Sequence, residues 1–268
     1  EIYTLSLHHA LPIWGAVSDS DRLLLNMVLD GEASQEKLDA FLEGWDIEAA
    51  PISSVLIVAY LMKTRPDLRF PETIAPRLGG VVSFCRFQNL EREAGYCKAL
   101  KALSGEGIQA VIMGAGAMKV YCPDFPRWIK EIELAVPEAD YAKAAEIAGK
   151  MVSPACDEGL FQRAGERKVF SVNGLVPSRE DMAYYLLSNF SNDLSGFFDL
   201  CYLIRSNPGF GWETLAGISR RNCDERRILY YSKVVETVFP GLFPDNWAEL
   251  LGVSKIRFKS FVYSSCFR

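Results

Sequence analysis

Two glutamates, Glu131 and Glu133, stand two positions apart in the run from Ile129 to Val136, IKEIELAV. Residues two apart on a β-strand share a face. An extended run would project both carboxylates to one side and Ile132, Leu134 and Val136 to the other. Such paired carboxylates suit Mg²⁺ (or Mn²⁺), since Mg²⁺ takes one or two protein carboxylates and completes its shell with water and phosphate oxygens. Upstream, the apolar Val111-Ile112-Met113 breaks into Gly114-Ala115-Gly116 before a short amphipathic segment. A glycine turn between a strand and a helix presents backbone N–H groups and a positive helix end to anions. A phosphate cradle at Gly114 and Gly116 with a metal pair at Glu131 and Glu133 is the equipment of phosphoryl transfer. Lys119 in the following helix and Arg127 before the acidic run could neutralise phosphate charge, although isolated basic residues also read as solvated surface charges. Likewise, alternating glutamates also describe an exposed antiparallel strand with two solvated side chains.

The elements around this stretch divide into three. Residues 14–107 read as helical. Ser18 and Ser34 are N-cap candidates, an apolar run from Ile52 to Met62 stops before Arg65-Pro66, and a further helix starts after Pro71. Asn89 to Leu103 carries Leu90, Ala94, Cys97, Leu100 and Leu103 as one stripe at helical spacing, and Gly105-Glu106-Gly107 ends it. Residues 108–176 are mixed: a strand over 109–113, a helix over 115–121, a strand over 129–136, a helix from about Glu138 to Lys150, and a strand from Lys168 to Val172. Residues 177–268 return to helices. Ser178 with Asp181 resembles a capping box, Asp193 is an N-cap candidate, and Asp199 reads as a partly buried packing residue. The aromatic cluster of Tyr184, Tyr185, Phe190, Phe197, Phe198 and Tyr202 has helical spacing and reads as core. The sum is an α+β chain: a small mixed sheet backed by helices and flanked by N- and C-terminal helical regions.

Composition narrows the chemistry. The two histidines are His8 and His9, inside an opening stretch, residues 1–13, that resembles the translation of a short-read sequencing adapter with one difference at His9. That stretch is set aside from fold reasoning. The remainder has no histidine, which excludes histidine bases, triads and His-ligated metals. With 34 acidic against 29 basic residues, the net charge of −5 gives no electrostatic footprint for nucleic acid. No apolar run approaches the roughly 20 residues of a membrane span. The seven cysteines form no C-x-x-C pair; scattered in apolar sequence, they fit reduced thiols and a cytoplasmic protein.

Four segments carry a resemblance. NLEREAGYCKALKALSGEGI, from Asn89, looks like a helix leading into a catalytic strand. AVIMGAGAMKVYCPDFPRWIKEIELAVPEADY, from Ala110 to Tyr141, looks like strand, glycine turn, helix and acidic strand. VPSREDMAYYLLSNFSNDLSGFFDLCYLI and NPGFGWETLAGISRR look like the helices that follow. From about Leu38 to Pro244 the chain resembles the uncharacterised bacterial nucleotidyltransferase family, a branch of the polymerase-β-like superfamily. The resemblance implies a nucleotidyltransferase-like core over 108–176. It also implies transfer of a nucleoside monophosphate from a nucleoside triphosphate to an acceptor hydroxyl with Mg²⁺. The family's Asp-x-Asp pair falls on Glu131 and Glu133, and its glycine on Gly114. Met113 stands where the family has lysine, and Phe170, Ser171 and Val172 stand where a third acid is expected. Asn189 stands near a frequent histidine. The absent lysine and third acid motivate the alternative of a catalytically degenerate binding or interaction protein, with a protein partner.

Overall fold

The computed structural model describes residues 17–155, 157–190 and 193–253. The adapter-like stretch and all but the first of the closing residues about 253–268 therefore lie outside the described residues.

Serine caps start the N-terminal helices where the sequence places them. Ser18 Oγ accepts from the Asp21 N–H, the Asp21 side chain answers at the Ser18 N–H, and α1 runs Asp19–Leu29. Ser34 caps α2, Gln35–Glu43, and α3, Ile52–Thr64, stops at Arg65 before its proline. The two helices read separately over 71–103 are one: α4, Ile74–Gly105, 32 residues long. Pro76 lies in its first turn, where a missing N–H costs nothing. Gly79-Gly80 weaken a helix without ending it. The stripe of α4 also differs. It buries Leu78, Cys85, Asn89, Tyr96, Leu100 and Leu103, and leaves Leu90 exposed.

The central strands are shorter than their apolar runs. The order is β1 Val111–Ile112, α5 Gly114–Tyr121, β2 Leu134–Val136, α6 Tyr141–Ala148, β3 Val152–Pro154, α7 Gly159–Arg163, β4 Gly165–Val169 and β5 Val172–Val176. They form one mixed sheet ordered β3-β2-β1-β5-β4. β1 runs antiparallel to β2, with Ile112 opposite Leu134, and parallel to β5, with Val111 opposite Leu175. The expected strand 129–136 contracts because β1 ends at Ile112 and turns into α5, leaving residues 129–133 without a ladder partner beyond one bond. That bond is Met113 N–H to the Glu133 carbonyl, 2.9 Å. The expected strand Lys168–Val172 is a hairpin instead, its turn at Phe170, which takes φ +55° with no glycine to signal it.

Both faces of the sheet are covered. Ile112, Leu134 and Val136 pack with Tyr96, Leu103, Ala144 and Ala148, while Val111, Met113 and Ala135 pack with Leu160. The C-terminal helices are α8 Arg179–Ser188, α9 Leu194–Arg205, α10 Trp212–Arg221, α11 Glu225–Val238 and α12 Trp247–Leu250. Residues of α1 to α3 share one apolar core with residues of α9 to α12, so the two flanking helical regions meet in space. Among the described residues, no helix is long and apolar enough to cross a membrane.

Candidate functional site

Gly114 is the first residue of α5, directly after the extended Met113, and takes φ +57°. That left-handed conformation costs an L-residue roughly 1–2 kcal/mol. The space above it is taken by Glu133, whose Oε1 lies 2.6 Å from where a Cβ on residue 114 would stand. One member of the acidic pair therefore lies against the glycine turn, while Glu131 falls in a bend before β2.

Glu133 is half-buried and Glu131 is exposed. Burial raises the Glu133 carboxyl above its usual range. The Tyr185 phenol donates to Glu133 Oε2 and pulls the other way, and the negative charge of Glu131 adds to the rise. The Tyr185 hydroxyl is itself pushed far above normal by burial and by this carboxylate. Glu133 thus stands as a charge short of water, next to a like charge, with one neutral donor.

A second tyrosine fixes the turn to the acidic segment. Tyr96 of α4 is fully buried, and its hydroxyl oxygen accepts from the Glu133 N–H at 3.2 Å. A Cβ on Gly116 would sit 2.6 Å from that same hydroxyl oxygen. Gly116 is small because Tyr96 needs the room, and burial pushes the phenol up to about 12. Neither tyrosine stood out in the sequence: Tyr185 reads as core and Tyr96 carries no local signal.

The two basic candidates are committed elsewhere. Arg127 is 5% exposed and grips Asp199 of α9 through both terminal nitrogens, at 2.6 and 2.7 Å. Its guanidinium lies 5.0 Å from the Phe125 ring centre. The Arg127 carbonyl accepts from Asn89 Nδ2 at 2.6 Å, and Asn89 Oδ1 accepts from the Ile129 N–H at 2.8 Å. Arg127 is thus neither a phosphate ligand on the turn nor a solvated charge: it ties the 122–129 loop to α4 and α9. Lys119 Nζ donates to the Pro123 carbonyl at 3.0 Å, and burial lowers its pKa against a counteracting pull from Glu93.

The acid expected near Phe170, Ser171 and Val172 has no equivalent beside β1. That position on β5 holds Leu175, and the strand ends at Val176 before Pro177. Asn189 closes α8 and returns its side-chain amide to the Tyr185 carbonyl at 3.0 Å. Among the described residues, no group of three or more His, Cys, Asp or Glu is gathered as a metal cage. Of the acidic pair, Glu133 lies against the turn, and Glu131 is near enough for its charge to raise the Glu133 carboxyl. Comparisons with protein-family models, curated proteins and solved structures gave no match to this chain.

Proposed function

We propose that the chain is a nucleotidyltransferase-like protein. In this reading it takes a nucleoside triphosphate and passes its nucleoside monophosphate to an acceptor hydroxyl. The observation that supports this is the Glu133 carboxylate lying over the positive-φ Gly114 at the start of α5. Glu131 and Glu133 would hold a divalent cation, which supplies charge neutralisation for phosphate oxygens when bound. The donor set fits. A half-buried carboxylate raised by desolvation and by a like-charged neighbour is relieved by a cation.

The residues divide the remaining work. The N-terminus of α5 favours anions, although the Gly116 N–H is shared with the Tyr96 hydroxyl, and Glu133 already supplies negative charge there. With Arg127 and Lys119 occupied elsewhere, a triphosphate can share this position only with a cation between it and Glu133. Nucleotide binding is therefore expected to require the metal. Tyr185 orients one Glu133 oxygen, and Tyr96 holds the main chain of Glu133 beside Gly116.

The alternative, a catalytically inert binding module, draws on a separate observation: the strand beside β1 carries no acid at its end. Turnover separates the two. Purified protein with Mg²⁺ or Mn²⁺ and each nucleoside triphosphate should release pyrophosphate, and Glu131→Gln and Glu133→Gln should abolish release. Metal-dependent binding by calorimetry without pyrophosphate release supports the inert module. Nucleotide binding that is equally tight without metal, and unchanged in Glu133→Gln, removes both readings.

A further inference from the structure

Large apolar side chains left in water are few among the described residues: Phe84, Phe87, Leu90 and Tyr141. Three of the four fall within two turns of α4, at 53%, 70% and 57% exposure. They lie on the side of α4 opposite its packed stripe of Cys85, Asn89 and Tyr96. A patch of this kind concentrated on one helix face marks an interaction surface more often than chance exposure does.

The spacing identifies the kind of partner. From Phe87 the face continues through Leu90, Ala94, Cys97 and Lys101 in alternating steps of three and four. That is the 3.5-residue repeat of a helix that packs along another helix. Alongside it runs a groove of about 750 Å³ between α4 and the hairpin turn at Phe170 and Ser171. The groove is open and elongated along the helix, and suits a second helix better than a compact ligand.

We infer that this face pairs with the same face of a second copy, α4 against α4 in antiparallel, two-fold order. Two-fold pairing needs a self-complementary surface, and the sequence of α4 supplies one. Centred between Gln88 and Asn89, the pairing sets Phe87 against the partner helix's Leu90 position, with small Ser83 against Ala94. The same order brings the basic Arg86 of each copy to the level of the acidic position 91 on the other, twice. The contact from Gly80 to Cys97 is about 25 Å long. That is short of what a standard interface of roughly 1,600 Å² requires, so the pairing belongs to the weak class, with a roughly micromolar Kd. It is independent of the proposed nucleotide site.

Sedimentation velocity on the full chain, from about 1 to about 100 µM, tests the pairing. The expected result is a monomer–dimer equilibrium, at least tenfold weakened in Phe87→Glu or Leu90→Glu. Both positions are exposed, so circular dichroism and Tm should match the parent. Arg86→Glu and Glu91→Arg should each weaken the dimer, and the two together should restore it. A chain that stays monomeric across this range overturns the inference. So does a dimer indifferent to Phe87→Glu, or a charge reversal that the second change fails to rescue.

Discussion

Replacing Asp199 with asparagine asks whether Arg127 is a structural residue or a ligand-binding one. The carboxylate and guanidinium are 8% and 5% exposed at their side chains, and the two hydrogen bonds are short. Removing one charge from a buried, hydrogen-bonded pair leaves the other without compensation, which costs about 3–5 kcal/mol. A chain of this size loses roughly 2–4 °C per kcal/mol, so Asp199→Asn should lower Tm by roughly 6–20 °C. Arg127→Ala should cost at least as much, because it also exposes Phe125 and unpairs Asp199. Replacing both together, Arg127→Met with Asp199→Leu, should recover most of the loss, since two well-packed apolar side chains need no partner. The double change also removes Arg127 Nε, which has no acceptor among the described residues. Thermal and urea unfolding of the four proteins measure these differences. An Asp199→Asn protein within about 1 kcal/mol of the parent would refute the structural role. So would an Arg127 variant that changes nucleotide affinity while leaving Tm untouched.

Two further outcomes follow from particular contacts. Gly114→Ala combines a left-handed φ with a Cβ 2.6 Å from the Glu133 carboxylate. It should lower stability by about 1–2 kcal/mol and reduce Mn²⁺ affinity in calorimetric titration, whereas Gly217→Ala, inside α10 with its Cβ position 3.6 Å from the nearest atom, should leave Mn²⁺ affinity unchanged and raise stability by up to about 1 kcal/mol. Asp157 governs an acid limb of stability. Burial pushes its carboxyl up, yet Arg221 and Arg163 outweigh burial and hold it below its ordinary 3.8. A depressed folded-state value contributes stability present above the unfolded value and lost as pH falls through the folded one. Asp157→Asn should therefore be less stable than the parent at pH 7, with the gap closing below about pH 3.8. A gap of equal size at pH 7 and at low pH would show that the carboxylate's charge is not what stabilises.

The helical ends were legible because their signals are local. Ser18, Ser34, Ser178 and Asp193 each cap a helix from one to three residues away, and a cap needs nothing more distant than its own first turn. The sheet was less legible because strand length depends on partners. IKEIELAV alternates along its whole length, but β1 offers it only Val111 and Ile112 as full partners. On α4 the stripe through Leu90, Ala94 and Cys97 is truly periodic. The packed face lies on the opposite side, through Asn89 and Tyr96. Asparagine scores as polar and tyrosine as only weakly apolar, so hydropathy selects the wrong face.

The site divides along the same line. That Glu133 points to the glycine turn follows from the two-residue period of an extended chain, which persists one bond past the assigned strand through Met113. What Arg127 does depends on Asp199, 72 residues further on, and the phenol on Glu133 comes from 52 residues away. Neither pairing has a local signature. A basic residue beside an acidic run attracts a phosphate-binding reading, because charge type is visible in sequence while burial is not. Once Arg127 is buried, the energetic case reverses: a guanidinium that must compensate Asp199 is not free for a ligand. If the proposed reading holds, the charge of a phosphate at Gly114 would have to be met by a cation on Glu131 and Glu133.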